Sequence, residues 1–196
     1  MLKAKVKISK VNNLTEARYF AAMGADYLGF CCNPGTERFC APTKIKEIIS
    51  WVEGPQFVME FDGWQSEEEI RQLLALDMVQ AVHFGAFATY KVDFGVPVFK
   101  DFILENLNEE DFNTVDFPVI RSEKQYKQMT EEEIAMLRHY LSIKTTHIDI
   151  DLTKEDLKMM LDTLPYFGII LRGGDEEKTG VKSFEELDEI FEILEG

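Results

Sequence analysis

TEEEIAMLRHYLSIKTTHIDIDLTKEDLKMMLDTLPYFGIIL, running from Thr130 to Leu171, decides the fold. It reads helix, strand, helix, strand. Thr130-Glu131-Glu132-Glu133 and Thr153-Lys154-Glu155-Asp156 each open a helix. A threonine hydroxyl can accept the free N–H groups of a first turn, and acids there suit the helix dipole. The spacing predicts that the first helix ends near Ser142 and the second near Leu164. His147–Asp151 alternates polar residues with isoleucine and Phe167–Leu171 is a short apolar run, both patterns of strands.

The same alternation continues outward to both ends. Strands are expected at Ala4–Ser9, Tyr27–Cys31, Phe57–Phe61, Met78–Phe84, Val96–Phe102 and Phe117–Arg121. Helices are expected from Asn12 to about Met23, from Pro42 to about Val52, from the Ser66 cap to about Leu76, and from Ser183 to Leu194. The segment Ala86–Gly95 is only weakly helical, and Asn106–Phe112 allows about two turns. Strands that alternate with helices pair in parallel through right-handed crossovers. Eight such units in 196 residues predict one closed (β/α)8 TIM barrel over residues 1–196, with the fourth and fifth helical units cut short.

Composition narrows the partners. There are 36 acidic against 21 basic residues, a formal net charge of 21 − 36 = −15. That charge argues against nucleic acid. No apolar run approaches about 18 residues, and no signal-peptide core precedes the first strand, so a cytoplasmic protein without membrane contact is expected. Cys31, Cys32 and Cys40 are an odd number of thiols without metal-ligand spacing. They are expected to be reduced and buried, with no metal. The short fourth and fifth units leave a barrel flank thinly covered, which allows a monomer or a homodimer.

In a barrel of this kind chemistry sits at the C-terminal strand ends. Arg172-Gly173-Gly174, after the last strand, could cradle a phosphate or carboxylate, or be a plain glycine turn. The neighbouring Asp175-Glu176-Glu177 opposes a dianion. Lys7 and Lys100 are candidates for the pocket, or else form buried ion pairs with Glu60 or Asp149. Asp149 and Asp151 share a face of the seventh strand. They could do acid–base work or simply partner those lysines.

Lys5-Val6-Lys7-Ile8-Ser9, Asn13-Leu14, Glu16-Ala17, Gly24-Ala25-Asp26-Tyr27-Leu28-Gly29-Phe30, Asn33-Pro34 and Arg38-Phe39-Cys40-Ala41-Pro42 together resemble the phosphoribosylanthranilate isomerase family of tryptophan biosynthesis. Phe117-Pro118-Val119-Ile120 and the tail from Arg172 to Lys182 fit more loosely. The resemblance implies a barrel that rearranges an aminoaldose to an aminoketose without metal or organic cofactor. It also implies a cysteine base ending strand one, an aspartate acid ending strand six, an arginine after strand two for the anthranilate carboxylate, and a phosphate site after strands seven and eight. Here Arg38 matches the arginine, and Lys7 and Lys100 match barrel lysines. His83 stands on strand four opposite either a glutamine or the family's histidine. The base position is Ser9 and the acid position is Ser122. A hydroxyl is a poor substitute for either group, and each loss costs about 10²–10⁴ in rate. Asp151-Leu152-Thr153 replaces the expected Ser-Gly-Gly. The expectation is therefore a divergent barrel that does not run the family rearrangement and binds a small anionic metabolite at a mouth with Lys7, Arg38, Lys100 and Arg172. Two alternatives stand beside it: an active sugar-phosphate isomerase using Asp149 or a strand-two thiol, and a non-catalytic interaction scaffold.

Overall fold

Among the described residues, the helix starts predicted from a hydroxyl followed by an acid are built as reciprocal caps. Ser66, Thr130 and Thr153 accept from the backbone N–H of Glu69, Glu133 and Asp156, whose carboxylates in turn take the cap N–H. Such caps satisfy donors that the helix cannot. They start α3 (Glu67–Leu74), α5 (Glu131–Ile143) and α6 (Lys154–Thr163). Asn13 caps α1 (Leu14–Ala22), and Pro42 opens α2 (Pro42–Ile49). The chain is described from a computed structural model covering residues 2–90, 92–107, 109–172 and 184–196. Gly173, Gly174 and Ser183 lie outside the described residues.

The strands are β1 (Lys5–Ser9), β2 (Tyr27–Cys31), β3 (Gln56–Phe61), β4 (Ala81–Phe84), β5 (Val98–Ile103), β6 (Phe117–Arg121), β7 (His147–Asp149) and β8 (Gly168–Arg172). They pair in parallel in chain order and close, β8 lying beside β1 with Ser9 opposite Arg172. The eight-unit (β/α)8 barrel expected from the alternation is the fold. The trimmed units are also where they were expected. Between β4 and β5 no helix forms among the described residues, and β5 is followed by a single 3-10 turn and the five-residue α4 (Glu109–Asn113). α7 (Phe184–Glu195) completes the outer layer. The expected strand at Met78–Phe84 begins only at Ala81, because Gln80 is spent on β3, accepting at its side chain from Phe57 and donating its N–H to the Phe57 carbonyl.

Two layers fill the barrel. The apolar core between sheet and helices is built from residues such as Val6, Ile8, Phe20, Phe30, Met59, Phe61, Leu137 and Phe191. Inside, the lower part is a separate cluster of Val58, Ala81, Phe99, Val119 and Ile170 with Tyr27 and Phe117 against it. His147 packs edge-on to Tyr27, Phe99 and Phe117. Above that layer the interior turns ionic. Gly29 permits this: a Cβ there would sit 2.1 Å from Glu60 Oε1. A missing side chain on β2 thus leaves the volume that the Glu60 carboxylate occupies.

Candidate functional site

Period-two alternation turns one residue in two toward the barrel axis. Near the C-terminal strand ends these are Lys7, Ser9, Glu60, His83, Asp101, Arg121, Asp149 and Arg172. They connect in order. The buried Lys7 ammonium donates to Ser9 Oγ at 2.8 Å and to Glu60 Oε1. Glu60 Oε1 lies 3.6 Å from His83 Nδ1, and His83 Nε2 is 2.7 Å from Asp101 Oδ1. Asp101 Oδ2 accepts from Arg121 Nη1 at 2.9 Å, and Arg121 Nε lies 3.2 Å from Asp149 Oδ2. That oxygen also takes Arg172 Nη2. Cation and anion alternate along the whole chain, and seven of the eight strands contribute a charge.

Burial alone would forbid this arrangement, because removing an unpaired ion from water costs several kcal/mol. Each interior charge is instead met by opposite charges on both sides, and the end members Lys7 and Arg172 by one each. Burial pushes the Glu60 carboxyl up, but Lys7 and His83 outweigh it and hold it far below the usual range. Burial likewise works against an ionised Asp101, and His83 and Arg121 reverse the balance downward. For His83, burial and the Lys7 charge disfavour the imidazolium, whereas Asp101 and Glu60 favour it, and the net direction is upward. His147, one layer below, has no carboxylate. Burial, with Lys7 and His83 nearby, lowers it to about 3 and keeps it neutral. Both its ring nitrogens and Asp149 Oδ1 are buried without a protein partner among the described residues.

The mouth above this chain is a cavity of about 870 Å³ bordered by Lys10, Asp62, Phe87, Glu105, Arg121–Lys124, Asp149–Asp151 and Ile170–Arg172. Lys10 is held at φ 60°, in the left-handed region that a side chain disfavours. That conformation lets its N–H reach Glu60 Oε2 at 2.8 Å while its ammonium meets Asp62 at 2.5 Å. The Arg121 and Arg172 side chains are 42% and 33% exposed, so both guanidiniums still face solvent.

Several expected site residues are elsewhere engaged. Lys7 does not reach the mouth: it is fully buried on Glu60, one of the two ion-pair partners foreseen for it. Lys100 points out of the barrel, where Nζ donates to the carbonyls of Gly85 at 2.5 Å and Ala86 at 2.9 Å, and burial lowers its pKa. Arg38 does not line the cavity. Its Nη2 grips both oxygens of the buried Glu16 at 3.0 and 3.1 Å, and its Nε donates to the Lys10 carbonyl at 2.9 Å. A buried carboxylate needs that partner, so Arg38 is committed to the frame. Ser122 Oγ donates to Glu105 at 3.3 Å and accepts the Lys124 N–H at 3.1 Å. Ser9, His83, Asp149 and Arg172 do converge in the ionic chain. Gly173 and Gly174 lie outside the described residues. Glu60, expected only as an ion-pair partner, and Asp101 and Arg121 also belong to the site, and strand alternation places each on the inward face.

Cys31, Cys32 and Cys40 are all buried as free thiols. Burial pushes the Cys32 thiol far up and Cys40 to about 11. No cluster of three or more His, Cys, Asp or Glu suited to a metal ion occurs among the described residues, and no helix there is long and apolar enough to cross a membrane.

A closed parallel barrel with polar groups gathered at the carboxyl ends of its strands defines the class: a (β/α)8 barrel with a ligand-sized mouth. Within that class, the solved structures of matching shape include phosphoribosylanthranilate isomerases. The isomerase from Thermus thermophilus is 24% identical, covers 97% of this chain and 98% of its own, and gives a TM-score of 0.76. The isomerase from Thermotoga maritima is 19% identical over 98% and 99%, with a TM-score of 0.78. KGPDC from Streptococcus mutans is more distant, at 11% identity and a TM-score of 0.65 over the full length of both chains. The likeness is one of fold. No protein-family model and no curated protein matches the sequence.

Proposed function

We propose that this barrel does not run the aminoaldose-to-aminoketose rearrangement implied by the resemblance and instead binds a small anionic metabolite at its mouth. The observation that carries the reading is the ionic chain itself. Ser9, at the position of the base, is buried and already accepts a hydrogen bond from the Lys7 ammonium. Ser122, at the position of the acid, is a hydroxyl engaged with Glu105. Asp149, one of the two substitutes open to an active isomerase, has Oδ2 occupied by two guanidiniums and Oδ1 buried, and the other, a strand-two thiol, is buried at both Cys31 and Cys32. The groups that support binding are Arg121 and Arg172, each with N–H donors beyond those spent on the chain and each facing the cavity.

One isomerase of this fold is described in complex with reduced 1-(o-carboxyphenylamino)-1-deoxyribulose 5-phosphate, and the enzyme from T. maritima as a dimer. Phosphate, sulfate and ribose 5-phosphate are therefore the first probes for this chain, and a monomer or a homodimer the first states to check. The test has two parts. A coupled assay for the rearrangement should give no turnover above buffer; turnover that Asp149→Asn abolishes would overturn the first half. Thermal shifts should rise with at least one oxyanion, because a ligand that binds only the native state stabilises it. They should vanish in Arg172→Gln. A second reading, an interaction scaffold, is favoured by two exposed aromatics, Phe87 on the cavity rim and Trp64 in the segment after β3, 89% and 84% exposed. No shift with any anion, together with a stable protein partner lost in Trp64→Ala, would favour it.

A further inference from the structure

The chain of charges is closed at one end and open at the other. Its inner end is Lys7, fully buried on Ser9 and Glu60. Its outer end is the Arg121 and Arg172 pair, half in the cavity and sharing a single carboxylate oxygen of Asp149. Counted from Lys7 to Arg172, there are three carboxylates. Against them stand three permanent cations plus His83. A neutral His83 balances the chain, and a protonated one leaves a surplus positive charge. The inner end has no room for a counter-ion, so the surplus is met at the mouth. Of the other carboxylates that border the mouth, Asp62 is paired with Lys10, Glu105 and Asp151 accept hydrogen bonds from the neutral Ser122 and Gln125, and Glu123 also stands on the rim, so an anion finds its donors at the guanidiniums and its repulsion at these acids.

We infer that a small oxyanion held between Arg121 and Arg172 is the next member of this alternation, and that its binding is linked to the proton on His83. The inference rests on the reading of the mouth as an anion site and adds its regulation. The groups facing His83 come from every element around it. Glu60 on β3 and Asp101 on β5 flank its two nitrogens, Lys7 on β1 lies beyond Glu60, and the Phe99 ring packs at 5.8 Å. His147 on β7 stays neutral and adds no charge. Loss of the His83 proton leaves Asp101 leaning on Arg121 alone, so less of the Arg121 charge is available to the mouth. The anion then binds more weakly. Reciprocally, the anion makes His83 hold its proton more tightly.

Sulfate is the probe, because its charge does not change across the range in which histidine titrates. Calorimetric titration of the whole chain at about pH 6 and about pH 9 brackets that range. Wild type should bind sulfate about fivefold or more weakly at the higher pH, as a modest site–site coupling requires. His83→Gln should show no such difference. Equal wild-type affinity at both pH values overturns the linkage and leaves the anion site standing. So does an undiminished pH dependence in His83→Gln. Absence of sulfate binding at either pH overturns the anion site itself. Should His83→Gln fail to fold, the wild-type imidazole decides: saturating sulfate must move the His83 titration midpoint, followed by NMR, to higher pH. An unmoved midpoint overturns the linkage.

Discussion

Glu60→Gln changes one atom type and little volume, yet it removes the carboxylate from a pair in which both partners are buried. Lys7 is 0% exposed and Glu60 2%. Breaking a buried pair by neutralising one side costs about 3–5 kcal/mol, because the remaining charge is left uncompensated. Lys7 keeps Ser9 Oγ at 2.8 Å, and glutamine keeps one oxygen for Lys7 or for the Lys10 N–H. The loss should therefore fall at the lower end, about 3 kcal/mol. For a chain of this size that lowers Tm by roughly 2–4 °C per kcal/mol. Urea unfolding at neutral pH, followed by tryptophan fluorescence and far-UV circular dichroism, measures it, and the slope m should not change. A second variant separates charge from packing. Lys7→Met with Glu60→Leu removes both ions and should recover most of the loss, less the Lys10 N–H, whose burial without an acceptor costs about 1–3 kcal/mol. A Glu60→Gln loss below about 1 kcal/mol would refute the reasoning, since no buried ion pair could then be holding the interior together.

Stability should also follow the His83 proton. Its pKa is raised in the fold, so its contribution is fully present below the unfolded value of about 6.5 and fades as pH rises through the folded value; chemical denaturation across that interval should show the decline in wild type but not in His83→Gln. Glu60 acts in the opposite sense: its lowered pKa gives stability that is present above about pH 4.3 and is lost progressively as pH falls below it, which acid-induced unfolding would report. Gly29→Ala should cost about 1–3 kcal/mol by thermal denaturation, because the new methyl group meets Glu60 Oε1 at 2.1 Å and Cδ at 2.4 Å in a carboxylate already fixed by Lys7 and Lys10. The Cys32 and Cys40 thiols, pushed up by burial, should react with a disulfide reagent slowly in native protein at pH 7 and rapidly in urea. Fast native labelling of both would contradict their placement.

The architecture was legible because it depends on signals repeated eight times. Caps at Ser66, Thr130 and Thr153 each combine a hydroxyl with an acid three residues on, and such pairs need no tertiary information. The interior was less legible because it turns on single-residue parity. On β5 the choice between Lys100 and Asp101, and at the end of β6 between Arg121 and Ser122, is a choice between opposite faces. A barrel lysine is expected to seek the mouth, which selects Lys100, and the resemblance selects Ser122, the outer or flanking member of each pair. Strict alternation inward from Phe99 and Val119 selects Asp101 and Arg121. The Lys7–Glu60 pair was open to reading, since a buried lysine needs an acid. That Gly29 clears the space for that acid could not be read from a strand sequence alone. Arg38 shows the converse difficulty: its place after β2 fits a ligand contact, and only packing shows that Glu16 on α1 claims it.

Ser9 and Arg172 lie side by side across the β1–β8 seam. The series of ions therefore runs round most of the barrel, with its two ends on adjacent strands. An alternating series of this kind has consequences for descent. Removing one interior charge leaves two neighbours short of a partner and shifts the total charge, while removing an adjacent cation and anion together keeps the total unchanged. Substitutions at Lys7, Glu60, His83, Asp101, Arg121, Asp149 and Arg172 should accordingly be accepted more readily in neighbouring couples than singly, and relatives of this protein should covary along the series. A barrel filled in this way is also hard to empty one mutation at a time, since each single removal strands a buried partner.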